Sequence, residues 1–230
     1  MNKAEKLILL GHSEAGLSIL MDMAYESHGI QHFDVIKNVD LPHCTFTHRD
    51  YTIQYFDSEK YIFPQSPTAI NVQLGVQQTA IKSLLYHHFK QSHGIEKANY
   101  MSIVHPTSYI AHSVEHIKQG LLLEPLALIS SCSQIGFGVT IKRGASIGHH
   151  ANLGDFVNIN PGVVLSGHVE VGHGTEIGSG AIVSNNIRIG KQCIIGAGSV
   201  VTKDIPDGVV AYGNPCRVVR EVKPWPLATE

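Results

Sequence analysis

Charge is scarce in this sequence: Asp, Glu, Lys and Arg make up 16% of the 230 residues and nearly cancel, to a formal −2. With no excess of either sign, no nucleic-acid partner and no anionic membrane surface is expected. No apolar run reaches the length of a bilayer span, and Met1 to Glu5 lacks the charged-then-apolar layout of a signal peptide. Cysteine is thin as well. Cys44, Cys132, Cys193 and Cys216 are widely spaced and include no Cys-X-X-Cys pair, which fits a reduced protein better than a disulfide scaffold. A cytoplasmic protein without membrane contact is the expectation. Apolar residues reach 43%, enough for a large core, so a disordered chain is excluded too. The single tryptophan, Trp225, stands between Pro224 and Pro226 in what reads as a loose tail, with packing against an oligomer as its one suggested use.

What the sequence has in quantity is a period of six. From Ile117 through Ile129, Ile147, Leu165 and Val183 to Val201, all fifteen positions six apart are Ile, Leu or Val. Ordinary composition would fill each such position about one time in five, so the repeat is not chance. Small or β-branched residues such as Val139, Ala145, Val157 and Ala181 lie two places earlier, and glycine often lies one place later, as at Gly136, Gly148, Gly154 and Gly178. Six residues then make one short strand and one corner, with the glycine expected to help the corner bend. Three hexads close a triangular coil, and coils stack about 4.8 Å apart by parallel strand pairing. Such a coil buries its core only against its neighbours. The predicted fold over residues 117–217 is a mainly β, left-handed parallel β-helix. Phe137 interrupts the polar outer face and is expected to fill a subunit contact.

Residues 1–98 read differently. Lys6 to Leu10 and Phe33 to Val39 predict strands, as does Ala69 to Leu74. Leu17, Leu20, Met21 and Ala24 mark one helix face, and Ile81, Leu84, Leu85, His88 and Phe89 another. This is a small Rossmann-like α/β domain. Between its first strand and helix runs Gly11-His-Ser-Glu-Ala-Gly16, a glycine motif with Ser13 in the middle glycine's place. A helix N-terminus there suits an anion, and Asn38 or Asp40 stands where a ribose contact is expected. Residues 99–116 are predicted to be a connector leading into the first coil, and 218–230 a C-terminal tail.

The order of these parts, with Ile103-Val-His-Pro-Thr107 before the repeats and Tyr212-Gly-Asn-Pro-Cys-Arg217 after them, resembles the sialic acid O-acetyltransferase and nucleotide-sugar N-acetyltransferase family of hexapeptide acyltransferases. The resemblance implies a homotrimer with sites between neighbouring β-helices and acetyl-CoA as co-substrate. It implies transfer to a small-molecule sugar acceptor, foremost the amino group of a nucleotide-linked amino-deoxy sugar in surface-glycan biosynthesis, with no metal. On the segment Ile147 to Phe156 it makes His149 the general base, with His150 where the family usually has an acidic residue. It puts acetyl-CoA contacts near Asn158, Gly167, Ser179 and Ala197, with Asn158 replacing a second family histidine and Gly167 supplying an N–H to the oxyanion. It puts sugar-nucleotide contacts at Gly11, Ser13, Glu14 and Ala15, although a carboxylate at Glu14 repels phosphate.

Three other readings stand beside this one. An O-acetyltransferase on a sugar or small hydroxylated acceptor needs the same parts. A trimeric scaffold without chemistry is motivated by His150 and Asn158. A zinc protein like the γ-class carbonic anhydrases would use His168, His173 and Cys132 across a subunit interface. Lys118, Lys142, Arg143, Lys191 and Lys203 lie along the repeats, either as phosphate contacts or as solvated charges.

Overall fold

The computed structural model describes residues 6–37, 50–64 and 70–225, and only the backbone of Glu14 and Ala15. Asn38, Asp40, Cys44, Ala69 and Pro226 fall outside the described residues.

Lys6–Leu10 (β1), His32–Lys37 (β2), Thr52–Asp57 (β3) and Val72–Leu74 (β4) form a parallel sheet in the order β3-β2-β1-β4. The helices are Glu14–His28 (α1) and Thr79–His93 (α2). A central parallel strand is covered on both sides, so β1 is apolar on both. Leu7 and Leu9 pack with Leu17, Leu20 and Met21 of α1, while Ile8 and Leu10 pack with Leu85 and Phe89 of α2. Both helices end at a left-handed glycine, Gly29 and Gly94, whose N–H bonds back to the last turn. The expected first strand and both helices are present. The edge strand β3 was not anticipated, although Thr52-Ile53-Gln54-Tyr55 alternates as a half-covered strand should.

The face of α2 differs from the expected one. Leu84 is 46% exposed and His88 is exposed, while Lys82, Ser83, Leu85, Tyr86 and Phe89 are buried. The helix is turned to put Lys82 inward, which an apolar stripe cannot foretell.

The stack of coils begins before Ile117. Ile103–Val104 and Tyr109–Ile110 pair in parallel with Leu122–Leu123 and Leu128–Ile129, so the expected connector already supplies strands. Three sheets result. The docked face has eight strands, beginning at Ile103–Val104, and lies under α2. The apolar face has six, from Tyr109–Ile110 to Val200–Val201, and the polar face five, from His116–Ile117 to Arg188–Ile189. From Leu122 to Val201 the strands bond to one another at a separation of 18 residues, as Ile147 does with Ile129 and Leu165; the first pairings are 19 apart and the last parallel one 16. Every periodic aliphatic residue from Leu123 to Val201 is at most 3% exposed. Ile117, in the terminal strand of the polar face, is 37% exposed because no coil covers it from below.

The corners do not bend at the glycines that follow the aliphatic residues. The left-handed residue comes two places further on, and it recurs every six residues: Gly138, Gly144, His150, Phe156, Gly162 and His168 all have φ between 56° and 69°. Gly136, Gly148 and Gly178 serve coil stacking instead. A Cβ on Gly178 would sit 2.5 Å from the backbone nitrogen of Ala197 in the next coil. Parallel pairing brings the backbones closer there than any side chain permits.

Phe137 is not a subunit contact. It is fully buried under α2, with Tyr86, Tyr100 and Phe156 at ring separations of 5.0, 5.0 and 5.3 Å. Beside this aromatic cluster, Lys82 Nζ donates to Thr140 Oγ1 at 2.5 Å and to Asn158 Oδ1 at 2.8 Å, and Asn158 Nδ2 donates to the Gln77 carbonyl. Burial pushes the Lys82 amine down to about 7. The charge of Lys142 adds to the shift and Glu176 opposes it. At the C-terminal end Arg217–Glu221 pairs antiparallel with Val209–Tyr212 across a cis Asn214–Pro215 bond, so the expected tail begins as a strand. Gln192 Nε2 donates to the Trp225 carbonyl at 2.5 Å. Among the described residues no helix is long and apolar enough to cross a membrane.

Two outcomes are expected. Gly178→Ala should cost about 3 kcal/mol or more in urea unfolding, the upper range for overpacking. Gly180→Ala, with open space around its left-handed position, should cost about 1 kcal/mol. For Lys82 the folded pKa lies below the ordinary lysine value, so the unfolded chain binds the extra proton between about pH 7 and 10.5. Stability therefore rises with pH through that window and loses this contribution as pH falls towards 7. Wild type should gain about 2 kcal/mol more than Lys82→Met between pH 7 and 9. Equal gains in both proteins would mean the amine is charged in the folded state.

Candidate active site

His149 stands on the corner between the apolar and polar faces, after the strand Ser146–Ile147. Its neighbour His150 is the left-handed residue of that corner, with φ 56° and its N–H bonded to Ser131 O. One coil on, the same corner carries Gly167 and His168, and one coil further Asn185 and Asn186. His168 N donates to His149 O at 2.9 Å and Asn186 N donates to Gly167 O at 3.0 Å, so the stacking fixes these residues as a column.

Within the column, His149 Nδ1 lies 3.0 Å from His150 Nδ1. The His149 ring lies against Gly167. A Cβ at position 167 would be 2.6 Å from both Cε1 and Nε2 of the imidazole. Gly167 is thus the residue whose missing side chain leaves room for His149. The Gly167 N–H donates to Asn185 Oδ1 at 2.9 Å. His150 and His168 stack almost parallel, 4.6 Å apart at 18°, and His149 stands edge-on to both. All three histidines are exposed, and no ion pair between His149 and a carboxylate occurs among the described residues. Sequence reasoning missed His168 and Asn185 at this place. Their signal is plain in retrospect: they lie 18 residues beyond His150 and Gly167.

The structure separates the other expected residues. Ser179 and Ala197 are exposed and stacked on the corner between the docked and apolar faces, where Gly198 N donates to Ser179 O. That corner is the far edge of the apolar face from His149. Asn158 lies on the docked face, 1% exposed, with its amide taken by Lys82 and Gln77. It belongs to the contact between the two halves of the chain, away from the His149 column. Gly11, with φ 76°, and Ser13 form the β1–α1 loop, which closes on Gly75 after β4. Ser13 N and Oγ donate to Gly75 O, at 3.2 and 3.4 Å. Glu14 and Ala15 begin α1.

The basic residues of the repeats are mostly engaged. Lys118 reaches Asp155, Lys142 donates to Asn160, Arg143 pairs with Glu124 and Lys191 with Asp207. Asp155 is held below the usual carboxylate range: burial works against this, while the Phe137 N–H, Lys97 and Lys118 outweigh it. The zinc set of Cys132, His168 and His173 does not assemble in one chain. His173 lies on the polar–docked corner and accepts from Asp155 N, while Cys132 and His168 lie on the His149 corner.

Comparison with known proteins agrees with the repeat. Residues 168–203 match the bacterial transferase hexapeptide repeat (six repeats). No curated protein matches the chain. The acetyltransferase domain of PglB from Neisseria gonorrhoeae FA1090, solved with acetyl coenzyme A, has a TM-score of 0.77 at 21% identity, covering 94% of this chain and 99% of that one. A variant of perosamine N-acetyltransferase from Caulobacter crescentus, solved with CoA and GDP-perosamine, has a TM-score of 0.76 at 22% identity, covering 94% and 97%. WeeI from Acinetobacter baumannii AYE has 0.72 at 21%, covering 93% and 99%. The chain therefore carries the hexapeptide repeat over residues 168–203 and shares the fold of these structures over nearly its whole length.

Proposed function

We propose that this chain is an acetyl-CoA-dependent acetyltransferase acting on the amino group of a nucleotide-linked amino-deoxy sugar, as a cytoplasmic homotrimer in surface-glycan biosynthesis. The observation that carries the reading is the His149 imidazole lying open to solvent against Gly167, whose missing Cβ makes the space. The fold shared with structures that hold acetyl-CoA, or CoA with GDP-perosamine, supports it. Acetyl-CoA supplies an activated acyl group when bound. The residues of the chain do the rest.

His149 serves as base through Nε2. For Nε2 to keep its lone pair, Nδ1 must carry the ring proton and donate it to His150 Nδ1, so His150 orients the base as an acceptor. A carboxylate there would also stabilise the imidazolium formed on proton uptake, and His150 does so less. The Gly167 N–H is the donor for the oxygen of the reacting carbonyl. Asn185 satisfies it beforehand, and the carbonyl oxygen takes the place of the Asn185 amide oxygen.

The outward residues of the apolar face support the trimer. Tyr109, Val164 and Ile182 are 58%, 40% and 45% exposed in one column of the sheet, a poor surface to leave in water. A second copy on this face brings its Ser179–Ala197 corner towards the His149–Gly167 corner, which joins residues that one chain keeps apart. We read the winding as left-handed and the N-terminal sheet as Rossmann-like. Its strand order reverses between β1 and β4, so the Gly11–Ser13 and Gly75 loops flank the crevice where such sheets take nucleotides. The thiols Cys132, Cys193 and Cys216 are unpaired, which suits a reducing compartment.

Thiol release from acetyl-CoA, measured against nucleotide-linked amino sugars and simple hydroxyl acceptors, tests the reading. Release with an amino-sugar acceptor should fall by about 10²–10⁴ in His149→Ala, the range for loss of a general base. Release only with hydroxyl acceptors would make the protein an O-acetyltransferase. Equal release in both proteins would remove His149 from the mechanism.

A further inference from the structure

We propose that His149, His150 and His168 form a binding site for a divalent transition-metal ion of the zinc type, and that filling it withdraws His149 from acyl transfer. The first half stands on the histidine cluster alone. The second rests on the acetyltransferase reading above.

Three ring nitrogens, one from each histidine, lie within 4.8 Å of one another, and no other trio of His, Cys, Asp or Glu ligand atoms comes as close among the described residues. Two ligand nitrogens at 2.0–2.1 Å from a tetrahedral zinc ion stand about 3.3 Å apart. The Nδ1 atoms of His149 and His150 are 3.0 Å apart, near that spacing, with a single proton between them. For an ion to bind between them, the His149 proton moves from Nδ1 to Nε2, so that each ring gives the ion its Nδ1 lone pair and carries its one proton on Nε2. The His168 ring is exposed and turns about its side-chain bonds to close the remaining gap. Three neutral imidazoles with an open outer side form the His₃ donor set that leaves zinc a fourth position for water. Imidazole also suits Ni²⁺ and Cu²⁺, with Cu²⁺ the tightest on general affinity grounds.

The backbone holds the trio in place. His150 and His168 occupy the left-handed position of the same corner in successive coils, both at φ 56°. Non-glycine residues there cost about 1–2 kcal/mol each, and other corners use glycine at Gly144, Gly162 and Gly180. The coil hydrogen bond from His168 N to His149 O sets the spacing between the rungs. The consequence for chemistry is direct. A base needs the lone pair and ring orientation that coordination consumes, so the ion is an inhibitor of the acyl transfer and not a cofactor for it.

The test uses full-length protein with any purification tag removed, titrated with Zn²⁺ alone by calorimetry. Wild type should bind one ion per chain. His168→Asn should bind at least about tenfold more weakly. Asparagine suits this position, because Asn186 holds the equivalent corner one coil on. His116→Asn, an exposed histidine on the polar face, should bind as wild type does. Co²⁺ in place of Zn²⁺ should give a visible absorption band in wild type that His168→Asn loses. No binding by wild type, or equal binding by wild type and His168→Asn, would overturn the site. Zinc should also slow acetyl transfer in wild type, with chelator restoring it, and slow it less in His168→Asn. Zinc bound without any acetyl transfer would sink the acetyltransferase reading and leave the metal site standing. Acetyl transfer with zinc binding unmoved by His168→Asn would do the reverse.

Discussion

Coil-on-coil stacking at the spacing of paired strands governs everything else in this molecule. From Leu122 to Val201 the two-residue strands pair with one another only at a separation of 18 residues, so the sequence is folded into columns. Two devices make the stacking work. Glycines such as Gly148 and Gly178 let one backbone lie on the next where a Cβ would be 2.5 Å from backbone atoms. A left-handed residue every six turns the chain at each corner. The aliphatic residues then fill a narrow core that no single coil could close. The His149 column follows from the same rule: His149, Gly167 and Asn185 meet because they are 18 apart, and so do His150, His168 and Asn186.

The α/β part depends on the stack as well. It is joined to the docked face by the aromatic cluster of Tyr86, Tyr100, Phe137 and Phe156, and by Lys82 inserted between Thr140 and Asn158. A lysine buried this way is a poor source of net stability, since desolvation of its charge offsets the hydrogen bonds it gains. What it supplies is register: three acceptors on one face accept one amine in one place. The Asp155 contact with Lys97 adds to the same junction.

How much of this was legible depended on the kind of signal. The core was readable because one type of residue recurs at one interval, from Leu123 to Val201, and burial follows the pattern. The role of the glycines was not, because a sequence shows that a side chain is absent without showing whether space or a backbone angle requires it. The orientation of α2 was missed because Lys82 reads as a solvent residue, and only the acceptors waiting on Thr140 and Asn158 turn it inward. Phe137 was misjudged for the same reason: Tyr86, one of the rings that cover it, comes from α2, far earlier in the chain. At the candidate site, His149 and Gly167 were marked by resemblance and are neighbours in the structure, whereas Asn158 was marked likewise and lies under α2. Resemblance carries a residue's position along the chain; it does not carry what another part of the chain lays over it.

In the proposed function the site belongs to two chains, with His149 and Gly167 on one and Ser179 and Ala197 on its neighbour. Mixed assemblies test this most directly. His149→Ala and Ala197→Trp damage opposite halves, so each variant alone should release little thiol from acetyl-CoA. Unfolded together and refolded in equal amounts, they should recover about a quarter of wild-type activity, since one in four interfaces of a random cyclic trimer has both halves intact. A refolded mixture no more active than its parents would contradict the shared site and place the chemistry within a single chain.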